Sequence, residues 1–341
     1  MKNKIEIFLI TYNRANYLEE TLKAVTANDS PIKDFDIKIL DNNSSDNTAS
    51  LCQEYSSKFP NITYIKHNRN IGLSGNICRT MELVQKEYLW ILCDNDEINW
   101  EYWNEVEQGI KEDNDLIIAS TFYRGDKKNS KALALAQSTF LPAAIYKTKF
   151  ITDSLMTYAM ADIPTILPHV SMACAILNQS DKIFYLSGSI VDLTNNVKIE
   201  DFKKYSFDRI DNAGIKYTHI KTKAVNFSIG ILESFSLLED EKIKKEAIEM
   251  FLDRKKANNY GPFIVPRSVM ASFIKKQIPF YFFCELLTLL PIKERLQLIL
   301  NLVCPVFYKS PNGLSVTLCS LLKLRLFDYK WLGIKKRKQF N

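Results

Sequence analysis

From residue 5 to residue 96 the chain repeats one pattern: a short apolar run, a polar corner, then apolar residues at helical spacing. Residues 5–10, 36–40, 62–65 and 88–93 are the apolar runs, each of strand length and rich in Ile, Leu or aromatic residues. Such runs predict strands buried on both faces, which is how parallel strands read. Between them, Tyr17, Leu18, Leu22 and Val25 recur at helical spacing, as do Leu51 and Tyr55 ahead of Pro60. Residues 76–86 predict a third helix. Strand alternating with helix three times predicts an α/β domain with a mostly parallel sheet flanked by helices. Right-handed crossovers then bring the four polar corners to one edge of that sheet. Those corners are residues 11–14, 41–46, 70–76 and 94–96.

The last corner is the most pointed chemically. The run ending at Cys93 stops at Asp94, Asn95 and Asp96. In open α/β sheets, ligands bind at the carboxyl ends of the strands. Two carboxylates there are hard oxygen donors of the kind that hold Mg²⁺ or Mn²⁺, with substrate phosphates completing the coordination. The competing reading is an acidic loop in which Asn95 forms a turn.

Residues 115–120 predict a further strand, and 123–138 a loop with a short helix. Pro168 opens a predicted helix through residue 178, since proline is tolerated at the first helical position. Residues 182–186 read as a strand, and 187–205 as a polar, mobile loop over the site. From residue 226 long helical patterns take over, so the domain division is 1–225 and a helical region, 226–341. Within 277–322 the longest uncharged run is thirteen residues, well short of the roughly twenty needed to span hydrocarbon. These helices either pack on the first domain or lie on a membrane surface. Residues 323–341 carry seven Lys or Arg and one Asp, so the +6 charge of the 341-residue chain resides there. A nucleic-acid-binding body is therefore not expected. Anionic lipid attracts each nearby basic residue by about 1 kcal/mol, and Phe327, Trp331 and Phe340 are interleaved with them. Seven cysteines without a C-x-x-C pair predict reduced thiols and a cytoplasmic setting, at the inner face of the plasma membrane. The apolar run after Met1 is too short for a signal-peptide core.

Four stretches in order, Phe8-Leu9-Ile10-Thr11-Tyr12-Asn13-Arg14, Leu40-Asp41-Asn42-Asn43-Ser44-Ser45-Asp46, Asn70-Ile71-Gly72-Leu73-Ser74-Gly75-Asn76 and Asp94-Asn95-Asp96, resemble family 2 glycosyltransferases of GT-A fold. The likeness is strong over residues 4–120, weaker over 140–195, and does not reach the last 115 residues or so. It implies a nucleotide-sugar donor, usually a uridine diphosphate sugar, and a Mn²⁺ or Mg²⁺ cofactor. On that likeness Thr11, Tyr12, Asn13 and Arg14 line the base and diphosphate. Asp41 accepts from base or ribose, with Asn43 near. Asn70, Gly72 and Asn76 shape the loop that closes over the nucleotide. Asp94 and Asn95 face the ribose and sugar. Asp96 holds the metal, with Asp94 beside it and Asp192 as an additional ligand that some relatives use.

Inverting members of the family take their base from a Glu-Asp pair ahead of a helix, about thirteen residues before a Lys-Ile strand start. Here that register holds Pro168-His169. A neutral imidazole can accept a proton from a sugar hydroxyl. Otherwise His169 packs at a helix start or binds acceptor, leaving Asp162 and Asp153 in reserve. The resulting expectation is a metal-dependent inverting glycosyltransferase acting on a polysaccharide or lipid-linked glycan of bacterial surface type. A nucleotidyltransferase uses similar carboxylates but usually carries a Gly-rich phosphate loop, and residues 11–14 contain no glycine. A non-catalytic sugar-nucleotide-binding subunit of an assembly complex is the third reading, favoured by the missing Glu-Asp pair.

Overall fold

The computed structural model describes residues 1–120, 130–161, 167–193, 223–252 and 280–296. Its centre is a seven-stranded sheet. The strands are β1 (Ile5–Thr11), β2 (Ile37–Asp41), β3 (Ile62–Lys66), β4 (Tyr88–Cys93), β6 (Leu116–Ile118), β7 (Ala144–Lys147) and β8 (Ile183–Tyr185), in the order β3-β2-β1-β4-β7-β6-β8. Only β7 runs against its neighbours. A separate two-stranded ribbon joins β5 (Asp96–Ile98) to β9 (Val191–Leu193).

Period-two alternation divides the core between the two faces of the sheet. Ile7, Leu9, Ile39, Trp90 and Leu92 face α1 (Ala15–Thr26), α2 (Thr48–Lys58) and α4 (Trp103–Lys111). Phe8, Ile10, Leu40, Leu89 and Ile91 face the other layer, which includes α3 (Gly72–Leu83), α5 (Lys131–Gln137), α6 (Asp153–Ala161) and α7 (Pro168–Gln179). Fully burying one such side chain stabilises the fold by roughly 1.5–3 kcal/mol, which is why strands of six or seven residues suffice. Glu6 is buried within β1, and its carboxylate is held by Lys38 at 2.6 Å and the Gln85 N–H at 2.6 Å.

The alternating strands and helices of the first hundred residues are those expected, with differences elsewhere. α3 starts at Gly72, one turn before residue 76, because Gly72 takes a left-handed φ of 77° as the chain turns into the helix. β7 was not anticipated: four residues following Pro142 carry too little pattern, yet both faces are buried. Residues 187–193 are not a loose loop. Ser187 donates its N–H to Glu105 and Val191–Leu193 forms β9; the rest of the predicted mobile loop lies outside the described residues.

The helices that follow residue 222 pack onto the sheet. α8 (Lys223–Ser236), α9 (Glu241–Leu252) and α10 (Phe280–Leu289) place Ile229, Leu232, Phe235, Ile248, Phe251, Phe283 and Leu286 in one cluster with Phe8, Ile91 and Ile118 of the sheet. As far as residue 296 the C-terminal helices belong to the same core. Tyr281 of α10, and Ile292 and Leu296 after it, remain exposed. The basic tail, residues 323–341, lies outside the described residues.

Candidate functional site

Strand register brings the polar corners level. Thr11 pairs with Asp41, Asp41 with Lys66, and Ile10 with Cys93, so Asp94 follows one step beyond the end of the β1–β4 ladder. The corners are then joined by side chains. The Thr11 hydroxyl donates to Asp94 Oδ2 at 2.9 Å. The Arg14 guanidinium donates to Asp94 Oδ1 at 2.9 Å and to Asn95 Oδ1 at 3.0 Å. Arg14 is 7% exposed and Asp94 2%. Burial opposes the charge on Arg14, but the adjacent carboxylate outweighs it and the guanidinium pKa is raised.

Asp96 begins β5 and is half-buried. Its Oδ2 accepts the Cys93 N–H at 2.7 Å, closing the turn between β4 and β5. Desolvation holds its carboxyl well above the ordinary carboxylate range; Asp94 adds to this, while the Cys93 N–H and Arg14 act the other way. A carboxylate short of positive partners beside a sheet edge fits a divalent cation, since a bound cation favours the ionised form. Asp94 fits that role less well, because both its oxygens already take donors from Thr11 and Arg14. Asp192 lies opposite Glu97 in the ribbon, so alternation sends it to the face away from Asp96. Among the described residues no three His, Cys, Asp or Glu are placed to hold one ion. Of the three carboxylates expected above, Asp94 thus already has a donor on each oxygen, and Asp192 and Asp96 lie on opposite faces of the ribbon.

Asp41 is 0% exposed. Its Oδ1 accepts the Ser44 N–H at 2.7 Å and its Oδ2 the Tyr64 hydroxyl at 2.8 Å. It is therefore the keystone of the second corner, with two lone-pair positions already engaged. Asn13 and Asn43 both take left-handed φ, 53° and 65°, a conformation asparagine tolerates better than most residues. Asn13 Oδ1 accepts from Ser45 N at 2.7 Å, and its own N–H donates to Ser44 Oγ at 2.8 Å, so the first two corners interlock. Tyr12 is half-buried and Asn43 exposed along this rim.

The third corner is tied in by Asn42, which donates to Asn70 Oδ1 at 2.9 Å and accepts from Ile71 N at 2.9 Å. Asn70 Oδ1 also accepts from Gly72 N at 2.8 Å. Asn76 is buried, with His67 Nε2 at 2.8 Å from its Oδ1 and its Nδ2 donating to Leu40 O at 3.3 Å. It braces the ends of β2 and β3. Asn42, Ser44, Tyr64 and His67 were given no role in the reading of the sequence. Each binds across chain-distant segments, and only the two in the second corner motif stood near a recognisable signal.

His169 occupies the first turn of α7 and is 4% exposed. Its Nε2 lies 3.2 Å from the Thr139 carbonyl oxygen, which can only accept, so Nε2 carries the proton. Nδ1 is then an acceptor, buried and without a partner among the described residues. Burial pushes the imidazole pKa down to about 4, with the Thr139 carbonyl opposing weakly. Asp153 is exposed at the start of α6, where an acid suits the helix dipole. Asp162 lies outside the described residues.

A family model described as "Glycosyl transferase family 2" matches residues 6–181. Abequosyltransferase RfbV of Salmonella typhimurium is 32% identical over 94 residues, covering 27% of this chain and 28% of the relative. The GalNAc(5)-diNAcBac-PP-undecaprenol beta-1,3-glucosyltransferase of Campylobacter jejuni is 31% identical over 96 residues, 28% of this chain and 30% of the relative. The chain thus matches less than a third of the length of these curated relatives. Among solved structures, S. aureus TarS 1-349 in complex with UDP superposes with a TM-score of 0.52 at 17% identity, covering 86% of each chain. That likeness concerns the fold.

Proposed function

The chain belongs to glycosyl transferase family 2, and on that footing we propose that it transfers a sugar from a uridine diphosphate sugar to a polysaccharide or lipid-linked glycan, with inversion at the sugar carbon. The observation that carries this reading is the joining of Thr11, Arg14, Asp94 and Asn95 at one sheet edge, with Asp96 beside them as the carboxylate left for a cation. The undecaprenol-linked substrate in the name of the Campylobacter relative supports the lipid-linked alternative for the acceptor.

In this reading Asp96 would hold Mn²⁺ or Mg²⁺. A divalent cation, when bound, supplies neutralisation of the charge that grows on the leaving diphosphate. Thr11 and Arg14 fix the Asp94 carboxyl in place through one hydrogen bond to each oxygen, so that its remaining lone pairs, with Asn95, can orient ribose and sugar hydroxyls. Tyr12, Asn13 and Asn43 form the rim against the base. His169 takes the acceptor hydroxyl proton on Nδ1: the Thr139 carbonyl fixes the tautomer, and the ring is neutral at every physiological pH. Nδ1 is buried and weakly basic, so the transfer requires the hydroxyl to reach it inside the fold.

Substituting His169 by Gln is expected to lower turnover at least a hundredfold while uridine diphosphate binding with Mn²⁺ stays within twofold, measured by calorimetry. Wild-type turnover would rule out the imidazole as base. The same variant has a stability signature. His169 is neutral in the fold down to about pH 4 but protonates near 6.5 when unfolded. Its contribution is complete above pH 6.5 and is lost as pH falls toward 4. The acid loss of stability between pH 6.5 and 4 should be shallower in the Gln variant.

Membrane association is a separate part of the proposal. Among the described residues no helix is long and apolar enough to cross a membrane. The basic tail would bind the anionic inner leaflet electrostatically, and exposed Tyr281, Ile292 and Leu296 supply apolar surface to the same membrane. Deleting residues 323–341 should reduce binding to phosphatidylserine vesicles at least tenfold in low salt, with most of the difference gone at high salt. Equal binding by the truncated chain would discard this part and leave the transferase reading intact.

A further inference from the structure

α7 begins without a cap of its own. Leu167, its N-cap residue, has extended backbone (φ −108°, ψ 96°) and a side chain with no oxygen, and Pro168 lacks an N–H. The missing partner comes from the C-terminal region. Ser234 of α8 is fully buried, and its Oγ accepts the Leu167 N–H at 3.0 Å while lying 3.4 Å from the Leu167 carbonyl oxygen. The Ser234 carbonyl accepts from Cys174 Sγ at 3.3 Å, about two turns further along α7. At the far end of α7, Asn178 donates to Leu237 O at 2.8 Å and accepts from Glu239 N at 2.9 Å. Thus α8 holds the start of α7 through Ser234, the segment just after α8 holds its far end, and the N-terminal grip lies two residues before His169. α8 also lies wholly outside the 6–181 stretch that defines the family.

From this geometry we infer that Ser234 is a positioning residue: by anchoring Leu167 it sets the angle at which α7 starts, and so holds His169 on the Thr139 carbonyl with Nδ1 presented as an acceptor. This deepens the reading of His169 as the base and rests on it for its catalytic meaning. The placement itself can be tested independently of catalysis. A backbone N–H left unpaired at a buried helix start is a real perturbation, because the group loses water without gaining a partner. The start of α7 would shift to find another acceptor, and the His169–Thr139 bond, at 3.2 Å, has little slack to follow.

The chain has three histidines, so nitrogen-15 labelling of histidine gives a resolvable spectrum. In the wild type His169 should show one tautomer, Nε2 protonated, and remain unprotonated through pH 5. In Ser234→Ala the same signals should show a mixture of tautomers and a titration moved upward by at least one pH unit. Asn178→Ala is the control: it removes two bonds between α7 and the segment following α8, at the other end of the helix. It should lower the melting temperature comparably and leave the His169 spectrum unchanged. Release of UDP from UDP-glucose, UDP-galactose and UDP-N-acetylglucosamine with Mn²⁺ gives the functional arm. With whichever is turned over, Ser234→Ala should reduce kcat about tenfold at unchanged donor KM, Asn178→Ala less than twofold, and Ser234→Ala should add nothing in a His169→Gln background. An unaltered His169 spectrum in Ser234→Ala, or equal changes in the two single variants, overturns the inference. A His169→Gln variant with normal turnover overturns the base reading instead, while an altered spectrum would still establish Ser234 as the anchor of α7.

Discussion

Replacing Arg14 by Ala is expected to lower folding stability by about 3–5 kcal/mol, the range found when one partner of a buried ion pair is removed. The loss comes less from the pair's own attraction than from what stays behind. Asp94 would keep the Thr11 hydroxyl but no positive charge, in a site where it is 2% exposed. Asn95 would lose its donor as well. Arg14→Lys should recover only part of the loss. Lysine is a compact point charge, whereas the planar guanidinium spans Asp94 Oδ1 and Asn95 Oδ1 together. A double variant, Arg14→Met with Asp94→Asn, removes both charges and should regain most of the stability without regaining nucleotide binding. Urea denaturation with an unchanged m-value is the measurement. An Arg14→Ala chain as stable as the wild type would mean that the pair is solvated, and that Asp94 is not held as the geometry places it.

Much of this site was legible in the order of the residues. Parallel strands buried on both faces have to be apolar, and their carboxyl ends have to be polar where the chain turns, so the alternation exposes itself. The 88–96 stretch marks both the strand and the place where it stops. Asn13 and Asn43 were named on the family likeness, and both prove to take the left-handed backbone that asparagine tolerates. Roles within the corners were less legible. Nothing local in the sequence distinguishes Asp41, tied to Tyr64 across the β2–β3 pair, from an acid open to solvent. Nothing local shows that both oxygens of Asp94 are engaged and that Asp96 is the one left over. Asp192 has the right chemistry, but strand register alone decides its face, and register is invisible until β5 and β9 are paired. Ser234 lies 67 residues from its partner in a helix with no motif at all. The C-terminal helices read as a separate region because their composition changes at residue 226. The change reflects the end of the strand–helix alternation, not the end of the core.

The largest effect on turnover should come from Asp96→Asn. Asparagine keeps an oxygen where Oδ2 accepts the Cys93 N–H, so the β4–β5 turn survives and only the charge is lost. Alanine would remove both and confuse the two effects. Removing one preorganised stabiliser of developing charge typically lowers a rate by about 10²–10³, and loss of a cation that neutralises a leaving diphosphate belongs at or beyond the upper end of that range. Stability should move the other way. Desolvation holds the Asp96 carboxyl above its unfolded pKa, so its ionisation opposes folding as pH rises past the ordinary carboxylate range. A neutral amide is free of that opposition, and the variant should melt at a higher temperature than the wild type at pH 7. Adding Mn²⁺ with uridine diphosphate should then stabilise the wild type and leave Asp96→Asn nearly unmoved, since only a ligand that binds the folded state raises the melting point. EDTA should reproduce the kinetic defect in the wild type and do nothing further to the variant. A variant that turns over normally, or one that still gains stability from Mn²⁺, would place the cation elsewhere and leave Asp96 a turn-former.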